Sequence, residues 1–544
     1  MAFRFSRQEL RGRDRVVERL LEIVPGATSW SLLIGLTILA CWKPRLAAIC
    51  IIAFDLYWLL RLFYLTIFLV LSYLRLIIER ETDWMGRLRT LDTLNRQPDR
   101  LRRAVTTPQL GALISHWIYR RQVEPLVRSH APRPRSSAVH HLVILPVANE
   151  PHAVYEAGIR SLTQQTYPLQ RMLVVLAVEG RAGRAVEDAA RAVQTTYRAQ
   201  FLDFLVVVHP PDLPGEARVK GANVTHAARA AAQALTARGI PFEDVIVSCF
   251  DADTVVSPAY CACLTYHFLI APDRVRASFQ PVPVYHNNIW EVPGFARVLD
   301  VGSSFFQLIE ATNPEKLVTF SSHSMSFQAL VEIGYWPVDM ISDDSAIFWK
   351  AYLHYEGEYR AIPMYVTVSM DVAAAESWQQ TVANVYRQKR RWAWGVENFP
   401  IVVRGFLDAQ GIPLMKKLKH TLKLFEGHVS WATWPFILGI VGWLPVLCAG
   451  REFSGSVAYY TTPRIAGTIF HLATLSLVIT MLLSVWLLPR PAVKFPLLKR
   501  CAHLVEWLFV PLTAIVMSAI PALDAQTRLL LGRYMEFQVT SKRR

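Results

Sequence analysis

A short apolar run, Val245–Phe250, leads directly into the acidic triplet Asp251-Ala252-Asp253. A run of six residues, five of them apolar, bounded by polar ones is typical of a buried strand. Three similar runs precede this one, and alanine-rich stretches with a helical period separate them. Such alternation predicts a parallel or mostly parallel α/β sheet. The other strand candidates are His141–Val147, Met172–Val178 and Phe204–Val208, and the helix candidates are Pro151–Gln165, Gly183–Arg198 and Gly221–Ala237.

Polar residues follow several of these strands. Asn149 and Glu150 follow the first, Glu179 follows the second, and Asp251 and Asp253 follow the fourth. Sheets of this type bind ligands beyond the carboxyl ends of their strands. Two carboxylates one residue apart at such an end suit one divalent cation, and hard oxygen ligands favour Mg²⁺ or Mn²⁺. Such a cation would neutralise a diphosphate leaving group.

Two more polar clusters occur downstream of the strands. Asp343 and Asp344 begin a helical stretch, where one carboxylate can cap the helix while the other acts as a general base. A basic motif with the sequence QKRRW follows at Gln388–Trp392. Its arginines could bind phosphate groups, and its indole could stack against a sugar ring. The alternative is a basic helix with tryptophans at a membrane interface.

The composition indicates a membrane protein. Hydrophobic residues make up 52% of the 544 and charged residues 19%, against about 45–50% and about 25% in soluble domains. The mean hydropathy is positive, +0.24. These values exclude a disordered chain and a collagen-like fibre. We assign the net charge of +15 to basic flanks of membrane spans rather than to nucleic-acid binding. The seven cysteines are scattered, so we expect them all to be structural, with no disulfide framework or zinc site.

Several apolar runs are long enough to cross a bilayer of about 30 Å, which needs roughly 20 helical residues. One of them, Leu46–Leu74, carries Asp55 and Arg61. We expect both to face a partner helix, because charges are costly in lipid. The uncharged runs are Ile23–Trp42, His428–Gly450 and Ile465–Pro489.

A further apolar stretch, Trp507–Leu523, is interrupted by Pro511 and Pro521. It is compatible with a kinked span or a re-entrant hairpin, and we expect the hairpin because it keeps the C-terminal tail on the side of the central domain. Arginines are concentrated in the first 19 residues and in residues 75–103. The positive-inside rule therefore places the N-terminus and the central domain in the cytoplasm. The first 22 residues are charged and amphipathic, so we expect no cleavable signal.

Together these motifs resemble the membrane-integrated family 2 glycosyltransferases, which include cellulose, chitin and hyaluronan synthases. The resemblance covers about residues 140–400 and extends to the flanking spans. It implies a cytoplasmic GT-A domain, which is an α/β fold, joined to transmembrane helices, and an inverting transfer from a nucleoside-diphosphate sugar. It rests on Asn149-Glu150, Asp251-Ala252-Asp253, Ser342-Asp343-Asp344 and Gln388-x-x-Arg391-Trp392, in the family's order and rough spacing.

The resemblance also implies a role for each residue that matches a motif. Asp344 would deprotonate the acceptor hydroxyl, Asp251 would contact the nucleotide diphosphate, and Asp253 would bind Mg²⁺ or Mn²⁺ with it. Further implied contacts are Asn149, Glu150, Glu179, Lys220 and Asn223 for the donor, Gln388, Arg391 and Trp392 for the diphosphate and acceptor, and Phe537, Val539, Thr540 and Lys542 for a loop closing over the donor.

The sequence departs from the family at three places. Glu179 stands where the family has Asp, which leaves a UDP- or a GDP-sugar open as donor. The general-base motif reads Ser342-Asp343-Asp344 rather than Thr-Glu-Asp. There are also fewer spans than in the known synthases, which makes a continuous polymer channel less secure.

Three functions remain open. The first is transfer of sugars to a growing polysaccharide, coupled or not to translocation. The second is transfer of one sugar to a polyprenyl phosphate or glycolipid, and the third is a catalytically silent membrane scaffold. The expected partners are thus a sugar nucleotide, a glycan or lipid-linked acceptor and membrane lipids.

We expect six segments along the chain. They are an N-terminal amphipathic segment with two spans (1–80), juxtamembrane helices and a linker (81–138), the α/β domain (139–400), an interfacial amphipathic helix (401–426), C-terminal spans with the hairpin (427–523) and a cytoplasmic tail (524–544).

Overall fold

The computed structural model describes residues 3–93, 110–129, 133–448, 454–455, 457–489, 503 and 505–536. The loop predicted to close over the donor, which contains Phe537, Val539, Thr540 and Lys542, lies outside these residues. The strands are β1 (His140–Val147), β2 (Met172–Glu179), β3 (Asp203–His209), β4 (Val245–Cys249), β5 (Val255–Val256), β6 (Ala277–Val284), β7 (Ser324–Ser326) and β8 (Arg360–Ser369).

Helices alternate with these strands and continue on both sides of them along the chain. They are α1 (Arg13–Trp42), α2 (Pro44–Arg80), α3 (Trp84–Thr93), α4 (Leu110–Ser129), α5 (His152–Thr163), α6 (Arg184–Tyr197), α7 (Lys220–Ala237), α8 (Tyr260–Ile270), α9 (Gly294–Ala311), α10 (Phe327–Glu332), α11 (Asp343–His354), α12 (Trp378–Ala393), α13 (Asn398–Asp408), α14 (Leu414–Gly439), α15 (Leu444–Leu447), α16 (Val457–Leu487), α17 (Val510–Ala514) and α18 (Ile520–Leu530).

The eight strands form one sheet in the order β3-β2-β1-β4-β7-β6-β8-β5. β1 pairs in parallel with β2 and with β4, and β2 pairs in parallel with β3. Every residue of β2 and β4 is buried, which explains why these strands are almost entirely apolar. β7 pairs antiparallel with β4 and β6, so the sheet is mixed. The predicted α/β fold class is confirmed.

Four described helices are long and apolar enough to cross a membrane, or five if a bent pair counts as one span. The predicted N-terminal spans lie in α1 and α2. The bent pair is α14 and the short helices after it, with an angle of 42° between Leu414–Gly439 and Val441–Leu447. The other two candidates are Tyr459–Leu487, within α16, and a C-terminal helical run, Glu506–Leu530.

Asp55 and Arg61 of α2 contact other parts of the protein, as expected. Asp55 is buried, and the guanidinium of Arg61 forms a salt bridge with Glu426 on α14. Arg61 also lies over the ring of Trp58, 4.9 Å from its centroid. An ion pair between two helices avoids leaving either charge in lipid. α14 is therefore the partner helix that the sequence implied for Arg61.

The predicted interfacial helix differs from the structure in two respects. α14 is continuous from Leu414 to Gly439, so the interfacial part and the following span form one helix. Three lysines of its first turns form salt bridges with carboxylates of the α/β domain, and a fourth, Lys417, donates to the carbonyl of Ala409. The pairs are Lys416 with Glu358, Lys419 with Glu315 and Lys423 with Glu310.

The expected hairpin at Trp507–Leu523 is replaced by the continuous C-terminal helical run. Pro511 and Pro521 lie in the first turns of α17 and α18, where a missing N–H costs little, so neither reverses the chain. Both ends of the run contact residues near the α/β domain. Glu506 binds Arg297 of α9 at 2.7 Å, and Arg19 donates to the carbonyl of Leu529 at 2.7 Å.

Candidate active site

A cavity of about 1500 Å³ extends from the carboxyl ends of β1, β2 and β4 to the membrane helices. Most of the predicted site residues meet there, although they come from distant parts of the chain. Those that line it are Asn149, Glu150, Glu179, Lys220, Asn223, Asp251, Asp344, Arg391 and Trp392, whereas Asp253 and Gln388 are buried outside its lining.

Lys220 lies among three carboxylates at the centre of this cavity. It is the first residue of α7, which directs its side chain toward the strand ends. Its ammonium group is 2.7 Å from Asp344, 3.1 Å from Asp251 and 3.7 Å from Asp343. Its side chain is only 11% exposed, so these contacts are largely shielded from water. The four side chains form what we call the Lys220 cluster.

Burial and charge shift the pKa values in the Lys220 cluster. Burial disfavours the ammonium form of Lys220, but Asp251, Asp343 and Asp344 outweigh it and raise its pKa well above the usual value. Burial also raises the pKa of Asp343, although Lys220 opposes the shift. The cluster therefore holds a permanent cation beside a carboxyl group that favours protonation.

Asp344 is the carboxylate best placed to meet an acceptor. Its side chain is 25% exposed, against 5% for Asp343. It lies in the first turn of α11, where the helix dipole favours a negative charge. Thr319 donates to its backbone carbonyl at 2.6 Å, which ties this turn to the loop before β7.

The loop before β7 supplies residues that the sequence analysis did not select. Ser321 donates to the Asp251 carboxylate at 2.5 Å, and Ser322 accepts from the Asp251 amide at 3.2 Å. Ser322 has a φ of 59°, a left-handed conformation that is uncommon for serine. His323 is fully buried, with Nδ1 3.1 Å from the Phe320 carbonyl. The sequence signal, Ser-Ser-His-Ser directly before a short strand, was too brief to indicate a site.

His323 also lies close to the predicted general base. Its Nδ1 is 3.8 Å from the carboxylate of Asp344. Burial lowers the pKa of His323 to about 4, so the ring is neutral near pH 7. The sequence analysis did not select this residue.

Asp253 lies apart from the cavity. Its carboxylate accepts from the Asp371 amide at 2.7 Å, and its carbonyl accepts from the side chain of Asn287 at 2.9 Å. The residues present do not fit a metal ion as they are arranged. Among the described residues, no group of three or more His, Cys, Asp or Glu side chains is placed to hold one. The carboxylates that a metal would need converge instead on Lys220.

The basic motif on α12 divides between cavity and core. Arg391 and Trp392 line the cavity, while Gln388 is buried. The ring of Trp392 packs 5.8 Å from Phe320, centroid to centroid. Lys389, which was not predicted, lies 3.8 Å from the centroid of that ring. Its ammonium is also bound by Asp300 at 2.7 Å, so this charge is held under the indole.

At the other end of the cavity, Glu179 belongs to a charged network. Arg181 lies 3.1 Å from its carboxylate, and Nδ1 of His209 lies 3.4 Å from it. His209 also contacts Glu216 at 2.8 Å through Nε2. These residues lie at the ends of β2 and β3, where the sequence analysis placed the nucleotide. His209 and Glu216 were not predicted.

Two of the predicted donor contacts also stabilise the backbone. Asn223 donates to the Ala177 carbonyl at 2.7 Å and so anchors α7 to β2. Glu150 accepts from the Ala148 amide at 2.7 Å in the loop after β1, where Asn149 also lies.

The membrane end of the cavity is largely apolar and aromatic. Trp58 of α2 and Trp434 of α14 face each other there, with ring centroids 4.8 Å apart. Other members of this wall are Leu62, Leu65, Leu69, Phe305, Phe306, Trp431, Trp507, Val510 and Ala514. The cleft at the strand ends thus continues into a chamber that suits apolar or ring-shaped ligands.

Known proteins resemble parts of this chain. A poly-β-1,6-N-acetyl-D-glucosamine synthase of Staphylococcus epidermidis is 30% identical over 114 residues, which is 20% of this chain and 23% of that protein. The structure of the mannosyltransferase PcManGT from Pyrobaculum calidifontis, solved with GDP-Man and Mn²⁺, is also similar. The aligned region covers 78% of this chain and 99% of that chain, at 16% sequence identity and a TM-score of 0.37. For the Staphylococcus aureus protein TarS 1-349, solved with UDP-GlcNAc, the aligned region covers 74% of this chain and 94% of that chain, at 12% sequence identity and a TM-score of 0.35.

The family itself is established by a longer match. Residues 246–518, which are half of the 544-residue chain, match the family described as glycosyl transferase family group 2. This stretch begins in β4, includes Asp251, Asp344 and the Gln388–Trp392 motif, and continues into the C-terminal helices. The protein is therefore a glycosyltransferase and belongs to glycosyl transferase family group 2.

Proposed function

We propose that the protein transfers a sugar from a UDP- or GDP-sugar to a growing polysaccharide at the membrane, with inversion at the anomeric carbon. The observation that carries this proposal is the position of Asp344. Its carboxylate lies in a cavity that joins the strand ends, where a nucleotide binds in such sheets, to the chamber between the membrane helices. Donor and acceptor would thus meet beside a carboxylate.

Asp344 is the proposed general base. It would accept the proton of the acceptor hydroxyl while the hydroxyl oxygen bonds to the anomeric carbon and the bond to the diphosphate breaks. Attack from the face opposite the leaving group inverts the configuration.

Lys220 would change partners during this reaction. A bound diphosphate offers its ammonium group a stronger anionic partner than the carboxylates, and Arg391 would add a second charge. When Lys220 turns to the diphosphate, Asp344 is left without that cation and becomes a better base. Donor binding would thereby prepare the site for the acceptor.

Similarity to a known synthase supports a polysaccharide as the acceptor. The identity to a poly-β-1,6-N-acetyl-D-glucosamine synthase supports a polysaccharide product, although the match spans 23% of that relative. The aromatic side chains of the chamber suit stacking against sugar rings. We place the α/β domain in the cytoplasm, where sugar nucleotides are found, and the polymer would leave through the helices.

A second candidate acceptor is a lipid-linked phosphate or a glycolipid. It is favoured by the aliphatic residues in the chamber wall, such as Leu62, Leu65 and Leu69 of α2. An isoprenoid tail would bury its apolar surface there, while Lys423 and Arg391 would face its phosphate. In this case a single sugar would be transferred.

Both candidates are tested by one assay on the detergent-purified protein. A panel of UDP- and GDP-sugars is supplied with Mg²⁺ or Mn²⁺, and release of nucleoside diphosphate and product length are followed. Asp344→Asn is expected to reduce turnover at least about 100-fold, as for loss of a general base. Asp188→Asn, an exposed carboxylate on α6, is the matched control and should keep full activity.

The product decides between the acceptors. A ladder of long glycans would support the polysaccharide, and one sugar on an added polyprenyl phosphate would support the lipid. Full turnover in Asp344→Asn would overturn the assignment of the base. Donor binding that is unchanged by Lys220→Met and Arg391→Met together would overturn the donor site.

A further inference from the structure

Two cysteines meet at the end of the membrane helices that is farthest from the α/β domain. Cys41 lies in the last turn of α1, and Cys448 follows α15 directly. Their sulfur atoms are 3.0 Å apart, although 407 residues separate them in the chain. A disulfide bond is about 2.05 Å long, so a small rotation of the side chains would close it.

The helices that carry these cysteines both start at the α/β domain. Glu18 of α1 binds Arg404 of α13 at 2.8 Å, and Lys423 of α14 binds Glu310 of α9. From Glu18 to Cys41 the helix rises about 34 Å at 1.5 Å per residue, which is about the thickness of the hydrocarbon core. The two sulfurs therefore lie on the opposite side of the membrane from the α/β domain.

This position decides the redox environment. With the α/β domain in the cytoplasm, as in the proposed function on which this step rests, Cys41 and Cys448 face the extracytoplasmic space. Disulfides form and persist in that compartment, whereas cytoplasmic thiols are kept reduced. Both side chains are accessible rather than buried, so an oxidant can reach them.

We propose that Cys41 and Cys448 form a disulfide that links α1 to the α14–α15 span at the extracytoplasmic surface. The two thiols lose two protons and two electrons, and one S–S bond forms. A disulfide of an extracytoplasmic thiol oxidase accepts the electrons and is reduced to its dithiol by thiol–disulfide exchange. The bond closes a loop that contains the whole α/β domain and holds the first and third spans together.

A count of thiols tests the proposal without using activity. Membranes are quenched in acid, and the protein is denatured and treated with a maleimide carrying polyethylene glycol, with or without prior reduction. The chain has seven cysteines. We expect five tags before reduction and seven after it.

Substitution of single cysteines identifies the two that form the bond. Cys41→Ala and Cys448→Ala should each carry six tags under both conditions. Cys50→Ala is the matched control, because Cys50 is also exposed and lies near the same end of α2. It should carry four tags before reduction and six after it. A peptide containing both cysteines in digests of the unreduced wild-type protein would identify the bond without any substitution.

The topology is checked separately. In Cys41→Ala, the remaining Cys448 should react with a membrane-impermeant maleimide in intact cells. If it reacts there while the wild-type protein carries seven tags without reduction, the disulfide is overturned and the orientation stands. If it reacts only after permeabilisation, the disulfide and the proposed orientation both fail. A reductant-dependent shift that persists in Cys448→Ala would assign the bond to other cysteines and overturn this pair.

Discussion

The ammonium group of Lys220 lies 2.7 Å from the carboxylate of Asp344, although 124 residues separate the two in the chain. The same ammonium also contacts Asp251 and Asp343. A lysine thus occupies the position at which the three carboxylates converge, and it neutralises part of their charge. The first two predictions follow from this arrangement.

Lys220→Met should make the stability of the protein depend strongly on pH. Without the ammonium group, Asp343 loses the cation that opposes the effect of burial, so the pKa of this carboxyl rises further in the folded state. A carboxyl group with a raised pKa stabilises the fold below its unfolded pKa and loses that contribution as pH rises through the folded pKa. Because the pKa of Asp343 is already raised to about 8 in the wild type, the Tm of the variant should fall more steeply than that of the wild type as pH rises through 8.

Lys416→Met is the control for this measurement, because Lys416 forms an exposed pair with Glu358. Exposed salt bridges contribute little to the free energy of unfolding, about 0–1 kcal/mol. Its Tm profile should follow the wild type. Parallel profiles for Lys220→Met and wild type would show that the carboxylates do not depend on this cation.

Divalent cations should bind the donor-free protein weakly, because Lys220 occupies the centre of the carboxylates. In Lys220→Met we expect at least about tenfold tighter binding of Mn²⁺, which corresponds to roughly 1.4 kcal/mol. Titration of Mn²⁺ followed by electron paramagnetic resonance measures both proteins directly. Adding Asp251→Asn to the variant should abolish the gain. Equal affinity in wild type and Lys220→Met would contradict the prediction.

His323 should destabilise the protein in acid. Burial lowers its pKa to about 4, whereas an unfolded histidine titrates near 6.5. A group with a lowered folded pKa stabilises the fold above its unfolded pKa, and that contribution is lost as pH falls from 6.5 toward 4, to a total of roughly 3 kcal/mol. Thermal unfolding between pH 7 and pH 4.5 should be less pH-dependent in His323→Gln. His152→Gln, an exposed histidine on α5, should keep the slope of the wild type.

Gly221→Ala should damage the Lys220 cluster through packing alone. A Cβ at Gly221 would overlap the carbonyl oxygen of Pro337 and would lie 3.5 Å from the Cβ of Asp343. Either α7 or the loop before α11 must move, at a cost of about 1–3 kcal/mol. We expect a lower Tm and lower turnover.

Gly302→Ala is the matched control for this substitution. A Cβ at Gly302 would have no neighbour within 4 Å among the described residues, and alanine favours helix. The Tm of this variant should equal or exceed that of the wild type. A fall in Tm as large as that of Gly221→Ala would refute the steric explanation.

Four of the eight strands and the main apolar helices were predictable from the sequence, as were most of the polar residues that line the cavity at the strand ends. The apolar runs that became β1, β2, β3 and β4 are separated by helical stretches, and each predicted span is a long, predominantly apolar run. These features are local, because hydrophobic periodicity follows from the geometry of a single strand or helix. The other four strands, β5 to β8, were not predicted. β5 and β7 have only two or three residues and carry no period, and β6 and β8 contain prolines, which weaken a strand pattern.

Predictions that depended on the surroundings of a segment were less successful. The stretch Trp507–Leu523 has the composition of a hairpin, yet packing against α9, α12 and α1 keeps it a continuous helix. The lysines of α14 have the pattern of a face that binds lipid headgroups, but three of them form salt bridges with acidic residues of the α/β domain. Long-range contacts override a local pattern in both cases.

By itself the sequence determined the α/β sheet, the membrane spans and the types of residue at the strand ends, because these depend on the order of apolar and polar residues along the chain. Only the tertiary structure decided that Lys220 lies among Asp251, Asp343 and Asp344, that Asp253 is buried away from the cavity, and that Cys41 meets Cys448. Each of these relationships joins segments that are distant in the chain, and their distances are set by the packing of sheet and helices, which no local pattern contains.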